Sequence, residues 1–161
     1  MMNENGLTIL QWNCRGIYRK LPELKKYLAS FITRPDLLLL QERHLTQKYL
    51  PKIQGYNVFR KDKSACSGGL AIFARDNLQA SEIRTTSSSN LEIQFIQVQN
   101  LHIYNIYIAP NCQLENRDLT FLNELPPRTV IVGDFNAHHL FLEYPSQSHE
   151  QPTWPQTHQI I

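Results

Sequence analysis

Residues 7–42 read LTILQWNCRGIYRKLPELKKYLASFITRPDLLLLQE, and this stretch decides the fold class. In Leu7–Cys14, Thr8, Leu10, Trp12 and Cys14 alternate with Leu7, Ile9, Gln11 and Asn13. Both sets are partly apolar, which marks a strand covered on two sides. Gly16 breaks it. Leu21, Leu24, Tyr27, Leu28, Phe31 and Ile32 then recur at helical spacing, with Pro22 expected in the first turn, where its missing N–H costs least. Pro35 and Asp36 end the helix. Leu37–Leu40 is a short, continuous apolar run, the pattern of a strand buried on both faces. Strand, helix and buried strand in this order predict a right-handed crossover between parallel neighbours.

The chain beyond residue 42 reads mostly as β-structure. Strands are predicted over Tyr56–Lys61, over Leu70–Ala74 behind Gly68-Gly69, over Leu91–Gln99 and over Leu101–Ile108, with a tight turn at Gln99-Asn100. Arg117–Leu125 is a short helix candidate stopped by Pro126-Pro127. Thr129–Val132 is a last buried strand, running into Gly133-Asp134-Phe135-Asn136. After His139 the texture changes. Residues 140–161 hold three prolines and no periodic apolar pattern beyond Leu140–Leu142, so they are expected to be disordered or loosely docked. There is no internal repeat.

At 161 residues, 42% hydrophobic and 19% charged, the chain suits one domain. No apolar run nears the ~20 residues that span a bilayer. The polar start, Met1 to Gly6, has no signal-peptide h-region. Cys14, Cys66 and Cys112 are too dispersed for a zinc spacing and fit free thiols in a reducing compartment. The net charge of +2 hides an asymmetry. Residues 1–84 hold 14 of the 16 Lys and Arg but seven of the 14 acids, a net +7. A basic front half fits a polyanionic partner such as nucleic acid, and equally a solvated lysine-rich surface.

Four predicted strands end in polar groups that apolar strands do not need: Asn13, Glu42, Tyr107, and Asp134 with Asn136. Each alone also suits a turn, a cap or a core position. Their repetition at successive strand ends predicts that they meet at one rim of a layered sandwich. Two carboxylates and two amides there make an oxygen-rich site suited to Mg²⁺, which takes one or two carboxylates, keeps several waters and accepts substrate phosphate.

The strings Leu10-Gln11-Trp12-Asn13-Cys14-Arg15-Gly16, Leu38-Leu39-Leu40-Gln41-Glu42, Ser67-Gly68-Gly69-Leu70-Ala71-Ile72, Asn105-Ile106-Tyr107-Ile108-Ala109-Pro110 and Gly133-Asp134-Phe135-Asn136-Ala137-His138-His139 occur in this order. Together they resemble the successive signatures of the endonuclease/exonuclease/phosphatase superfamily. The wording is most similar to the apurinic-endonuclease-like domain of non-LTR, jockey-like retrotransposons. The resemblance covers residues 7–139, with 1–6 as an N-terminal tail and 140–161 as a divergent one. It implies a four-layer α/β sandwich, incomplete at the C-terminus, that cuts phosphodiesters with Mg²⁺, or with Mn²⁺ in its place. Glu42 would be the principal metal ligand with Asn13 beside it. Asp134 would orient the attacking water, Asn136 would hold a phosphate oxygen and Tyr107 would stabilise the transition state. The partner implied is DNA, gripped at its phosphates by Arg15, Arg19, Lys20 and Arg43 among the basic residues of 15–63. A reverse transcriptase domain would belong to the parent element, acting in the nucleus.

The chain also departs from the pattern. The family places a Ser-Asp-His near the domain end, whose His is a general base. Here Asp134 is the last aspartate, and Ser148-His149-Glu150 is only an echo. General acid–base help is worth ~10²–10⁴-fold, so impaired catalysis is expected. An inactive nucleic-acid-binding remnant, or another phosphatase or nuclease of the superfamily, are the alternative readings.

Overall fold

The computed structural model describes residues 6–41, 51–61, 69–83, 88, 90–110 and 112–136, and the backbone of 156–159. The opening stretch folds as its pattern demands. β1 (Thr8–Asn13) leads through α1 (Ile17–Ala29) to β2 (Leu37–Gln41), and β1 and β2 pair in parallel with Asn13 opposite Gln41. β3 (Tyr56–Lys61) and β4 (Leu70–Arg75) add antiparallel to β2, giving the order β3-β4-β2-β1. A second sheet is built from β5 (Ala80–Ile83), β6 (Leu91–Val98), β7 (Leu101–Ile108) and β8 (Thr129–Asp134) in sequence order, with β7 and β8 parallel.

Alternation along the strands sorts the side chains into three cores and hence four layers. On the outer face of the first sheet, Leu10, Trp12, Leu38, Leu40, Ala71 and Phe73 meet the stripe Ile17, Leu21, Leu24 and Leu28 of α1. Between the sheets, Ile9, Leu37, Leu39, Ile72 and Ala74 face Ile96, Val98, Ile103 and Val132. On the outer face of the second sheet, Leu91, Ile93, Phe95, Tyr104 and Ile106 pack under Phe121 and Leu125. Phe95 stacks on Tyr104 with ring centroids 4.2 Å apart, and Phe121 follows at 5.9 Å. Cys14 is buried with its Sγ 3.7 Å from the Gln41 carbonyl oxygen, and Cys112 is half-buried. Among the described residues no helix is long and apolar enough to cross a membrane.

Several expectations need correction. The helix starts a turn earlier than predicted, because Ile17 is buried and extends the apolar stripe by four residues toward the N-terminus. Gly16 makes the entry at φ 121°, a conformation closed to most side chains. Pro22 therefore lies in the second turn, and Ile32 is exposed beyond the helix end. β5 escaped the sequence reading because only Ala80 and Ile83 of its four residues are even half-buried. The helix predicted over Arg117–Leu125 is a 3₁₀ helix at Asn116–Glu124 with no buried residue.

Within the stretch expected to be disordered or loosely docked, β9 (Gln156–Gln159) pairs antiparallel with β1 and covers its edge. Edge pairing joins main-chain groups, so it needs no side-chain pattern to announce it.

Candidate active site

The layer between the sheets changes character row by row. Register places Ile9 beside Leu37, and Leu37 beside Ala74, in the first sheet. The next inward row is Gln11, Leu39 and Ile72, and the last is Asn13, Gln41 and Leu70. Across from them, Ile96, Ile103 and Val130 form one row, Gln94, Asn105 and Val132 the next, and Glu92, Tyr107 and Asp134 the last. One end of the sandwich is hydrocarbon and the other is amide, carboxylate and phenol.

At the polar end the two sheets are hydrogen-bonded to each other. Asn13 Nδ2 donates to Asp134 Oδ2, joining the ends of β1 and β8. Asp134 Oδ1 accepts from the Asn136 backbone N–H at 3.1 Å, and Asn136 Nδ2 donates to the Ile108 carbonyl at 2.7 Å. These bonds hold Asn136 at φ 41°, a left-handed conformation that asparagine tolerates better than most residues. One row behind, Gln11 Nε2 donates to Gln41 Oε1 at 2.6 Å, and Gln41 Nε2 donates to Asn105 Oδ1 at 2.6 Å. Asn105 Nδ2 donates on to the carbonyls of Leu40 (3.2 Å) and Ala71 (3.4 Å). Asn105 and Gln94 are fully buried and Gln41 nearly so. The Gln41 and Asn105 amides are tolerable there because the oxygen and the nitrogen of each find partners.

Beside this row, Glu92 Oε2 accepts the Gly69 backbone N–H at 2.8 Å, and Gln94 Nε2 donates to Glu82 Oε1 at 3.1 Å. Lys61 Nζ donates to the Ile93 carbonyl at 2.7 Å. Burial pushes the Lys61 ammonium below the usual lysine range, against the opposing pull of Glu82 and Glu92.

The structure thus brings Asn13, Tyr107, Asp134 and Asn136 to one rim. Glu42 and Arg43 lie outside the described residues, directly after Gln41 in the chain. His138 and His139 also lie outside them. Arg15 and Arg19 are exposed. Lys20 instead sits over the Trp12 ring, 5.5 Å from its centroid, a cation–π contact that holds its stem against the protein. Lys61, also within the basic stretch expected to meet phosphate, is turned inward.

The sequence reading missed Gln11, Gln41, Glu92, Gln94 and Asn105 as parts of this end. Gln11, Gln41, Gln94 and Asn105 each stand two residues along from an inward apolar residue, an alternation that defines a shared face without saying that the face is buried.

One atom bears on metal binding. Asn13 Oδ1 is buried and has no hydrogen-bond partner among the described residues. A buried acceptor without a donor is costly, and a hard cation satisfies it. Among the described residues the ligand atoms on offer at this rim are oxygens of carboxylate, amide and phenol, a set that suits Mg²⁺ better than zinc.

Comparison with known proteins agrees with this architecture. The model of the Endonuclease/Exonuclease/phosphatase family matches residues 10–158, past His139 and into the tail that the sequence reading set apart. The probable RNA-directed DNA polymerase from transposon BS of Drosophila melanogaster is 28% identical over 144 residues, covering 84% of this chain and 16% of that protein. The chain thus spans about a sixth of such a relative. Among solved structures, an AP endonuclease from Archaeoglobus fulgidus superposes with a TM-score of 0.61 at 19% identity, covering 81% of this chain and 58% of that one. The endonuclease domain of TRAS1, a telomere-specific non-LTR retrotransposon, gives 0.58 at 19% identity, covering 82% and 61%. A family match over most of the chain, on a fold shared with these enzymes, makes the chain a member of the endonuclease/exonuclease/phosphatase family.

Proposed function

We propose that this chain hydrolyses phosphodiester bonds in DNA with Mg²⁺, as the nicking domain of a non-LTR retrotransposon protein. The observation that carries the reading is the Asn13–Asp134 contact at the polar end, beside a buried Asn13 Oδ1 that lacks a partner among the described residues. Glu42 and Asn13 would hold the metal. When bound, the ion supplies Lewis-acid stabilisation of charge building on the phosphate. Asp134, held by donors on two sides, is oriented to accept a proton from the attacking water. The water oxygen bonds to phosphorus, the bond to the leaving oxygen breaks, and that oxygen takes a proton from solvent and departs as a hydroxyl. Asn136 and the Tyr107 hydroxyl donate to the non-bridging oxygens, where preorganised donors matter most. Arg15 and Arg19, exposed just beyond β1, contact backbone phosphates. The target is nuclear DNA, and a reverse transcriptase domain of the parent protein would use the nick.

The 161 residues contain no Ser-Asp-His string to share the proton chemistry with Asp134, and slow turnover is part of the proposal. Supercoiled plasmid incubated with the chain and Mg²⁺ should be nicked slowly, with the nicking stopped by EDTA and by Glu42→Ala. DNA binding that weakens with salt, without any metal-dependent nicking, would replace the hydrolase with a nucleic-acid-binding module, the reading favoured by the basic front half.

A further inference from the structure

The proposed site is divided between two sheets. The first carries Asn13 and, directly after its β2, Glu42; the second carries Tyr107, Asp134 and Asn136. Its geometry therefore depends on how the sheets are aligned, and apolar packing alone aligns them loosely, because hydrophobic contact has no direction. We propose that Asn105, acting with Gln41, is a positioning residue that clamps the metal-side sheet to the phosphate-side sheet. This inference rests on the proposed function for its purpose but not for its geometry.

Asn105 lies on β7, two residues before Tyr107 and one row behind the site. Its Nδ2 reaches the carbonyls of Leu40 on β2 and Ala71 on β4, which are opposite each other in the ladder of the first sheet. Its Oδ1 takes the second amide of the clamp, Gln41 Nε2, at 2.6 Å. Gln41 precedes Glu42 and stands opposite Asn13, and its own Oε1 accepts from Gln11 on β1. Three amides thus tie together β1, β2, β4 and β7. β7 carries β8 through the Tyr107–Asp134 register. Hydrogen bonds are directional, so this chain of amides fixes sheet-to-sheet register where the apolar rows cannot.

The side-chain amide resonances of Asn13 report the Asn13–Asp134 contact directly, with Asp134→Ala marking the position they take when that contact is gone. In Asn105→Ala the resonances should move more than halfway to that position. A double variant, Gln41→Leu with Asn105→Val, removes both polar partners and refills the volume, so it should stay folded with a melting temperature near wild type. Its Asn13 resonances should move in the same way. Its Mg²⁺ dissociation constant, read by calorimetry, should rise about tenfold or more, as loss of a supporting shell does elsewhere. Ile103→Val, on the same face of the same strand, should leave the resonances and the Mg²⁺ affinity unchanged. Wild-type Asn13 resonances in the folded double variant would overturn the clamp. If the wild-type chain binds no Mg²⁺, the proposed function fails, while the Asn13 resonances still decide for or against the clamp.

Discussion

The two ends of the inter-sheet layer are built from the same strands and have opposite chemistry. At one end Ile9, Leu37, Ala74, Ile96, Val98 and Ile103 make a dry core. At the other, the same faces present Asn13, Gln41, Glu92, Asn105, Tyr107 and Asp134. The dry end stabilises the sandwich by removing hydrocarbon from water and tolerates small shifts of one sheet over the other. The polar end is joined by directional hydrogen bonds from sheet to sheet, which favour one alignment. Stability is concentrated at one end and geometry at the other.

The largest expected effect breaks both ends at once. A Cβ on Gly133 would lie 1.9 Å from the Ile106 carbonyl oxygen, and the obstacle is backbone that cannot swing aside. Gly133→Ala should force β8 from β7, carry Asp134 away from Asn13 and cost about 3 kcal/mol or more in urea denaturation. Next comes a change confined to the dry end. Leu37 is fully buried, and Leu37→Ala should cost about 3 kcal/mol in the same measurement. Its Mg²⁺ affinity should match wild type, and a large loss of affinity would mean that the two ends are not separable.

A smaller effect of opposite sign is expected at the polar end. Gln94 is fully buried with Oε1 unpartnered among the described residues, while Glu82, the carboxylate that accepts from its Nε2, is exposed to water. Gln94→Met removes an unsatisfied acceptor, and Glu82 regains solvent. The change should stabilise the chain by about 1 kcal/mol. Destabilisation would show that Gln94 is part of the alignment network.

The smallest effect belongs to the outer layer. Tyr56 donates to the Pro35 carbonyl at 2.6 Å, and burial is the main cause that pushes its phenol up to about 12. Above pH 10 the unfolded chain ionises this group while the folded chain does not. Its stabilising contribution is therefore present below pH 10 and is lost as pH rises from 10 toward 12. Urea midpoints of wild type and Tyr56→Phe should converge across that window, leaving the contrast between the two ends intact.

The same contrast explains what the sequence disclosed. The crossover Leu7–Glu42 was legible because its residues carry local periodicity: alternation, a helical stripe, a four-leucine run. Tyr56–Lys61 and Leu101–Ile108 were legible for the same reason, and their boundaries match the structure. The candidate site residues at strand ends stood out because they interrupt apolar runs. Asn105 and Gln94 did not, because an isolated polar residue inside an alternating strand reads as solvent-facing until the partner sheet is known. β9 carries no pattern of its own and takes its place from the open edge of β1. Interactions set by distant partners leave the weakest local trace.

The central claim is that the polar end is a hydrolytic site in which Asp134 handles the proton of the attacking water. The rate of Mg²⁺-dependent plasmid nicking by the wild-type chain and by Asp134→Asn, measured side by side at equal DNA occupancy, tests it most directly. The variant is nearly isosteric and should nick at least ~10²-fold more slowly. Equal rates in the two proteins would contradict the assignment.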